Sequence, residues 1–194
     1  MRFLIRLHNC GRYAPADRKQ LTRSMYELVR PFQADIGNLR VSSFAVELDL
    51  LTSANENAER AVKVLEEKFG KLLTMRELDV QTARMSDAEA IELGLKLFNE
   101  ERYWESHEAL ESAWRRAAGP EKNMLQALIL IAAALVHLQK NELEVALSVM
   151  RRAQEKLQPY QGSRFGVDLD ALKDRLNGLL SSGRLEFFRI EASL

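Results

Sequence analysis

The sequence has one cysteine, four prolines and nine glycines in 194 residues, and its charges cancel, 28 Lys and Arg against 28 Asp and Glu. Each shortage excludes something. A single thiol, Cys10, cannot build a disulfide framework or a multi-thiolate metal centre. So little proline and glycine rules out collagen-like, mucin-like and low-complexity chains. Zero net charge gives no pull toward nucleic acid or an acidic membrane, and neither is expected as a partner. No long hydrophobic run is present: the most apolar stretch, Met124 to Leu138, is interrupted by Gln126 and His137. It is shorter than the roughly 18–20 residues a membrane span needs and reads as a buried core helix. The first eight residues lack an apolar signal core, which makes the cytoplasm the expected compartment. Glycine-rich phosphate loops and a nucleophile elbow are missing too, and with them the signals for nucleotide chemistry.

What remains is 46% hydrophobic and 29% charged, enough for one large domain or two small ones. Residues 2–7 alternate as a strand and break at Asn9-Cys10-Gly11; Pro15 suits the first turn of a helix to about Val29, which Pro31 stops. Asn38 to Val41 and Phe44 to Leu50 are β-rich. In the second piece Phe44, Val46, Leu48 and Leu50 share one face, and Ala45, Glu47 and Asp49 the other. Ser42-Ser43 is a turn between them, unless they form one long strand. A helix from about Glu56 to Phe69 follows, with Ala61, Val64, Leu65 and Phe69 at helical spacing and Gly70 as its cap, and Leu72 to Leu78 closes as a strand. The order predicts a ferredoxin-like sandwich over residues 1–80. Helices cover one sheet face only, so Ala45 and its neighbours are free to meet a second copy, and a homodimer is expected.

Past a linker at 81–86 the period becomes helical. Ser86 with Glu89 forms a capping box, and a shift of 40 residues lays Gly94 on Ala134, Phe98 on Leu138, Tyr103 on Leu143, Ser106 on Ala146, Leu110 on Met150 and Ala113 on Ala153. Small residues meet small ones and large apolar ones meet large, as in tetratricopeptide hairpins. Helices over 87–99 and 102–116 pair as one hairpin and those over 122–139 and 142–158 as the next. A helix from about Asp168 to Leu180 caps a domain spanning 87–183. A helical bundle with no groove satisfies the same pattern. The expected fold class is therefore α+β, a ferredoxin-like sandwich followed by an all-α, tetratricopeptide-like bundle. The tail, 184–194, is apolar enough at Leu185 to Ile190 to be a strand docking on the first domain.

Chemistry concentrates on the second helix. At about 100° per residue, Trp104, His107, Glu108, Glu111, Trp114 and Arg115 fall within roughly a third of its circumference, where a structural helix would place leucines. Gln126 and His137 are eleven residues apart on the long apolar helix and share a stripe. Buried without partners each would cost about 1–3 kcal/mol, so they are expected to meet the face around His107. Three readings follow. One is a structural network fixing helix register. Another is a divalent metal held by His107, Glu111 and His137. The third is acid–base catalysis in a small hydrolase or lyase, with Glu108 or Glu111 as base and His107 as acid. His8 and Cys10 are neighbours with no visible third partner.

Phe98-Asn99, Tyr103-Trp104-Glu105, His107-Glu108, Leu110-Glu111 and Trp114 resemble the signature of domain-of-unknown-function family 309. The likeness extends through Leu125-Gln126, the alanines at 132–134, His137, Asn141, Ala146 and Gly166-Val167-Asp168. It covers about 90–180 and implies an all-helical fold with helical hairpins and no established activity. This chain departs from the family pattern in having Leu130 and Val136 where a second Gln and a second His are common. With Asn99 and Tyr103 added from the matching positions, the residues describe a groove for a small ligand or a peptide.

Overall fold

A computed structural model describes residues 1–78 and 85–191. Two compact units emerge, Met1–Ala83 with Gln139–Asn141, and Arg84–Leu138 with Glu142–Leu194. The expected linker at 81–86 lies outside the described residues except for Met85 and Ser86.

The first unit runs β1 (Arg2–His8), α1 (Arg18–Val29), β2 (Ala34–Val41), β3 (Ala45–Thr52), α2 (Asn55–Phe69) and β4 (Leu72–Glu77). The sheet order is β2-β3-β1-β4, with every neighbouring pair antiparallel. Each helix therefore connects two parallel strands that have a third strand between them, a double split β-α-β arrangement. Phe3, Ile5, Leu7, Val46, Leu48 and Leu50 bury one face under Leu21, Met25, Ala58, Ala61, Val62 and Leu65. Val62 takes the buried place expected of Val64, which is only half buried. Phe44 falls outside β3 and is exposed, its ring instead lying 5.5 Å from the Arg6 guanidinium.

The two β-rich pieces are separate strands, turned at Ser42, whose amide and hydroxyl both donate to the Ala45 carbonyl. β2 starts four residues earlier than expected, because the chain slips phase inside it. Gly37 pairs Asp49 and Arg40 pairs Glu47, so two residues oppose one, and Asn38 takes a left-handed φ of 46°. Ala34 and Ile36 before the bulge, and Leu39 and Val41 after it, thereby all reach the helix-covered side.

The other sheet face is ionic. Arg40 meets Glu47 at 2.6 Å and Asp49 at 3.3 Å, Arg2 meets Asp49 at 2.6 Å, Arg6 lies 3.4 Å from Glu47, and Asn38 donates to Asp49 at 2.8 Å. Ala45, expected on an open surface there, is buried.

The second unit comprises α3 (Asp87–Asn99), α4 (Tyr103–Trp114), α5 (Gly119–Gln139), α6 (Leu143–Leu157), the two-residue strands β5 (Ser163–Arg164) and β6 (Val167–Asp168), and α7 (Leu169–Ser182). The Ser86 capping box forms: its hydroxyl accepts from the Glu89 amide, and the Glu89 carboxylate accepts from Ser86. Those two hydrogen bonds to Ser86, the hydroxyl's first, hold the Glu89 carboxyl below its ordinary value. α5 has 21 residues and is long and apolar enough to cross a membrane, contrary to the shorter span read from sequence. More than half of its apolar window is buried against the other helices, as in a core helix. Asp168 caps α7 by accepting from the Asp170 and Ala171 amides, and Gly183 ends it at a left-handed φ of 63°.

The tail is not a strand on the first domain. Residues 185–190 are irregular and pack into the helical unit, with Phe188 and Ile190 in its core. Phe188 stands edge-on to Phe98 at 5.5 Å, and Phe187 lies 5.8 Å from Tyr103. The Asn99 amide bonds both the carbonyl and the N–H of Ile190, at 2.9 and 2.8 Å. Burial of Phe188 and Ile190, with the two Asn99 hydrogen bonds satisfying the backbone at Ile190, holds the tail there. Residues 192–194 lie outside the described residues.

Candidate functional site

α4 has two unlike sides. Tyr103, Ser106, Ala109, Leu110 and Ala113 are buried, and the Ser106 hydroxyl donates to the Gly94 carbonyl of α3 at 2.8 Å. The opposite side presents Trp104, His107, Glu108, Glu111 and Trp114, half buried except for exposed Glu108. Packing against α3 thus uses up the small and apolar residues and leaves the aromatic and ionisable ones along a shoulder.

His107 Nδ1 lies 3.5 Å from Glu108 Oε1, too far for a strong hydrogen bond, with side-chain exposures of 29% and 54%. His107, Glu108 and Glu111 each place one ligand-capable atom within 4.8 Å of the other two. Glu111, at 27% exposure, accepts from Arg115 at 3.0 Å. Two ring nitrogens on this face, His107 Nδ1 and Trp114 Nε1, are screened from solvent and have no hydrogen-bond partner. The Lys122 ammonium of α5 sits 4.8 Å over the Trp114 ring.

The expected convergence with α5 does not occur. His137 Nδ1 meets Glu142 at 2.6 Å across the α5–α6 turn, where the Glu142 amide also donates to the His137 carbonyl at 2.9 Å. His137 is a hairpin clasp outside the His107 cluster, and among the described residues no hydrogen bond joins Gln126, half buried on α5, to either histidine. Of the three residues expected to hold a metal, His107 and Glu111 lie together, with Glu108 beside them, and His137 lies apart. Asn99 holds the tail and Arg115 serves Glu111, so neither lines a groove in its own right. Tyr103 is fully buried in the core. Burial, reinforced by the nearby Glu101 carboxylate, pushes its phenol well above the usual range, with the Phe188 backbone acting the other way.

Two ionic partners were hidden in the sequence. Glu105, 7% exposed, takes a two-pronged hydrogen bond from Arg102 at 2.7 and 2.9 Å, and Arg102 also meets Glu100 at 3.1 Å. Burial works against the Arg102 charge, but these carboxylates outweigh it and raise its pKa. The Arg102-to-Glu105 spacing of one helical turn was the available signal. Glu142 had none, because its contact with His137 depends on the turn. In the first unit His8 Nδ1 touches the exposed Cys10 Sγ at 3.1 Å, and Gly70 passes so close that a Cβ there would lie 2.2 Å from the His8 carbonyl.

Fold and site define an α+β protein whose helical unit carries one His/Glu/Trp shoulder on the second helix of its first hairpin. The chain belongs, through this unit, to the family described as Domain of unknown function (DUF309), whose model matches residues 91–149. The matched stretch contains the whole of α4 and α5. The crystal structure of a conserved hypothetical protein from Thermus thermophilus is 33% identical, covering 46% of this chain and 94% of that one with a TM-score of 0.41. No curated protein matches the chain.

Proposed function

We propose that the helical unit is a binding module that takes a small ligand or a peptide segment on the α4 shoulder. The observation that carries this reading is the pair of ring nitrogens, His107 Nδ1 and Trp114 Nε1, shielded from water and unbonded on one half-open face. A shielded polar nitrogen left unpaired costs about 1–3 kcal/mol, and a bound molecule would recover it by accepting from the Trp114 indole N–H and pairing with the imidazole Nδ1 in whichever tautomer it takes. Trp104 adds a flat apolar surface beside them, and Glu108 and Glu111 add negative charge. Binding is favoured over acid–base catalysis because neither carboxylate sits in the apolar setting such chemistry needs. Glu108 is more than half exposed and Glu111 is held by a guanidinium.

The chain's two tryptophans both lie on this face, so their indole N–H resonances report on it directly. A fragment library screened by nitrogen–proton correlation spectra is expected to move the Trp114 indole signal, and His107→Gln to weaken the same fragments. A library that leaves both indole signals fixed at millimolar concentration overturns the reading.

A further inference from the structure

We propose that the cleft between α7 and the tail takes a short peptide with free ends, its ammonium at Asp168 and Glu191 and its carboxylate at Arg175 and Arg189. The cleft has a volume of about 480 Å³, within the range of small-molecule sites, and none of the residues lining it belongs to α4. Its floor is apolar: Leu172, Phe188 and Ile190 line it, each less than a tenth exposed. Its charges are sorted by end. The Arg175 guanidinium bonds Glu186 at 2.6 Å and lies 5.7 Å over the Phe188 ring, which fixes where the tail passes the later turns of α7. From there the tail lines the cleft through Glu191, back toward Asp168 at the start of the helix.

Length and chemistry select the ligand. Asp168 and Arg175 are two turns apart, about 10 Å along the helix. An extended chain advances about 3.3–3.6 Å per residue, so a tripeptide reaches from the acidic end of the cleft to the basic one. Arg189 and Glu191 are exposed and make no hydrogen bond or ion pair, by side chain or main chain, among the described residues. Ile190 between them gives both of its backbone groups to Asn99. The main chain on either side of Ile190 is thus left with donors and acceptors that a peptide lying in the cleft can pair with, which favours a peptide over other dipolar molecules. Asp168 uses one oxygen, Oδ1, to cap α7 and keeps the other. Arg175 is shared with Glu186, so Arg189 carries the larger part of carboxylate recognition. The middle side chain of the peptide meets the apolar floor.

The test is titration of the full-length protein with the tripeptide Ala-Leu-Ala, followed by backbone amide shifts across 168–175 and 188–191. A dissociation constant of about a millimolar is expected. Acetylating the peptide's amine or amidating its carboxylate should each weaken binding about fivefold, as expected for loss of one exposed ion pair. The variants then sort by end. Glu191→Gln should weaken the free and the amidated peptide and leave the acetylated one unchanged; Arg189→Gln should weaken the free and the acetylated peptide and leave the amidated one unchanged. A merely structural role for either residue would not produce that crossed pattern. Both positions are exposed and without partners among the described residues, so neither substitution places a demand on folding, and circular dichroism checks this. Amide shifts that stay fixed at about ten times the expected constant overturn the proposal. So does a doubly blocked peptide that binds as well as the free one, or variants that weaken all four peptides alike. Movement of the Trp114 indole signal alone would put the peptide on the α4 shoulder, which overturns this site and leaves that one standing.

Discussion

Gly94 on α3 has no room for a side chain because Leu110 on α4 fills the space: a Cβ at position 94 would lie 2.6 Å from the Leu110 Cγ. The helices approach closely there, and the Ser106 hydroxyl bonds the Gly94 carbonyl at the same crossing. That contact sets which side of α4 is turned outward. Gly94→Ala should gain helix propensity but force the crossing apart, for a net loss of about 1–3 kcal/mol by urea denaturation. It should also perturb the Trp114 indole signal, although position 94 does not touch that ring. A loss under about half a kcal/mol would mean that the crossing yields without strain.

The tail's attachment hangs on Asn99. Asn99→Ala removes both hydrogen bonds to Ile190 and leaves its backbone N–H and carbonyl to find water or stay unpaired, at a cost of about 1–3 kcal/mol. Limited proteolysis should then cut within 185–191 well before any site in α3 or α4. If protease sensitivity of that segment is unchanged, Phe188 and Ile190 hold the tail by packing alone.

The phenol of Tyr103 makes stability depend on alkali. Its folded pKa is raised by burial first and by Glu101 second. The folded state therefore keeps the proton that the unfolded chain loses near the ordinary phenol value of about 10. The stabilisation is complete below that value and falls as pH rises beyond it. Phenolate absorbance from Tyr103 should appear only together with unfolding, and Tyr103→Phe should flatten the alkaline limb of stability against pH. At neutral pH the same variant, which removes a buried hydroxyl that makes no well-formed hydrogen bond, should be unchanged or more stable by up to about 1 kcal/mol. A wild-type Tyr103 that ionises in the folded protein would contradict this.

Period and punctuation were enough to read most of the architecture. Phe3, Ile5 and Leu7, Val46, Leu48 and Leu50, and the capping box at Ser86 follow from local pattern, and the structure places them as that pattern requires. The start of β2 was not legible, because a template of strict alternation rejects Ala34, Ile36, Leu39 and Val41, whose spacing is regular only once Asn38 bulges out. The His/Glu/Trp face of α4 was legible from helical angle alone. What it faces was not: angle says which residues share a stripe on one helix and nothing about which stripe of another helix comes opposite. For that reason His137, polar and at the right phase on α5, matches His107 on paper when its partner is Glu142, five residues along the chain. The tail misled for a related reason. Apolar alternation at Leu185 to Ile190 fits a strand as well as it fits aromatic packing against Phe98 and Tyr103.

The bulge in β2 makes the sheet tolerant of a change in chain length at one of its least regular points. With Asn38 absent, Leu39 would fall opposite Leu48, Arg40 would stay opposite Glu47 and Val41 opposite Val46. The ladder would become regular, every side chain would keep its face, and the loss would be confined to the Asn38 side chain's own hydrogen bonds, to Asp49 and from Lys140. A deletion at Arg40 itself, by contrast, would bring an apolar residue into the ionic row and take from Glu47 the nearer of its two guanidinium partners. Relatives one residue shorter in β2 are therefore compatible with the same sheet, provided that the missing residue is the one at the bulge.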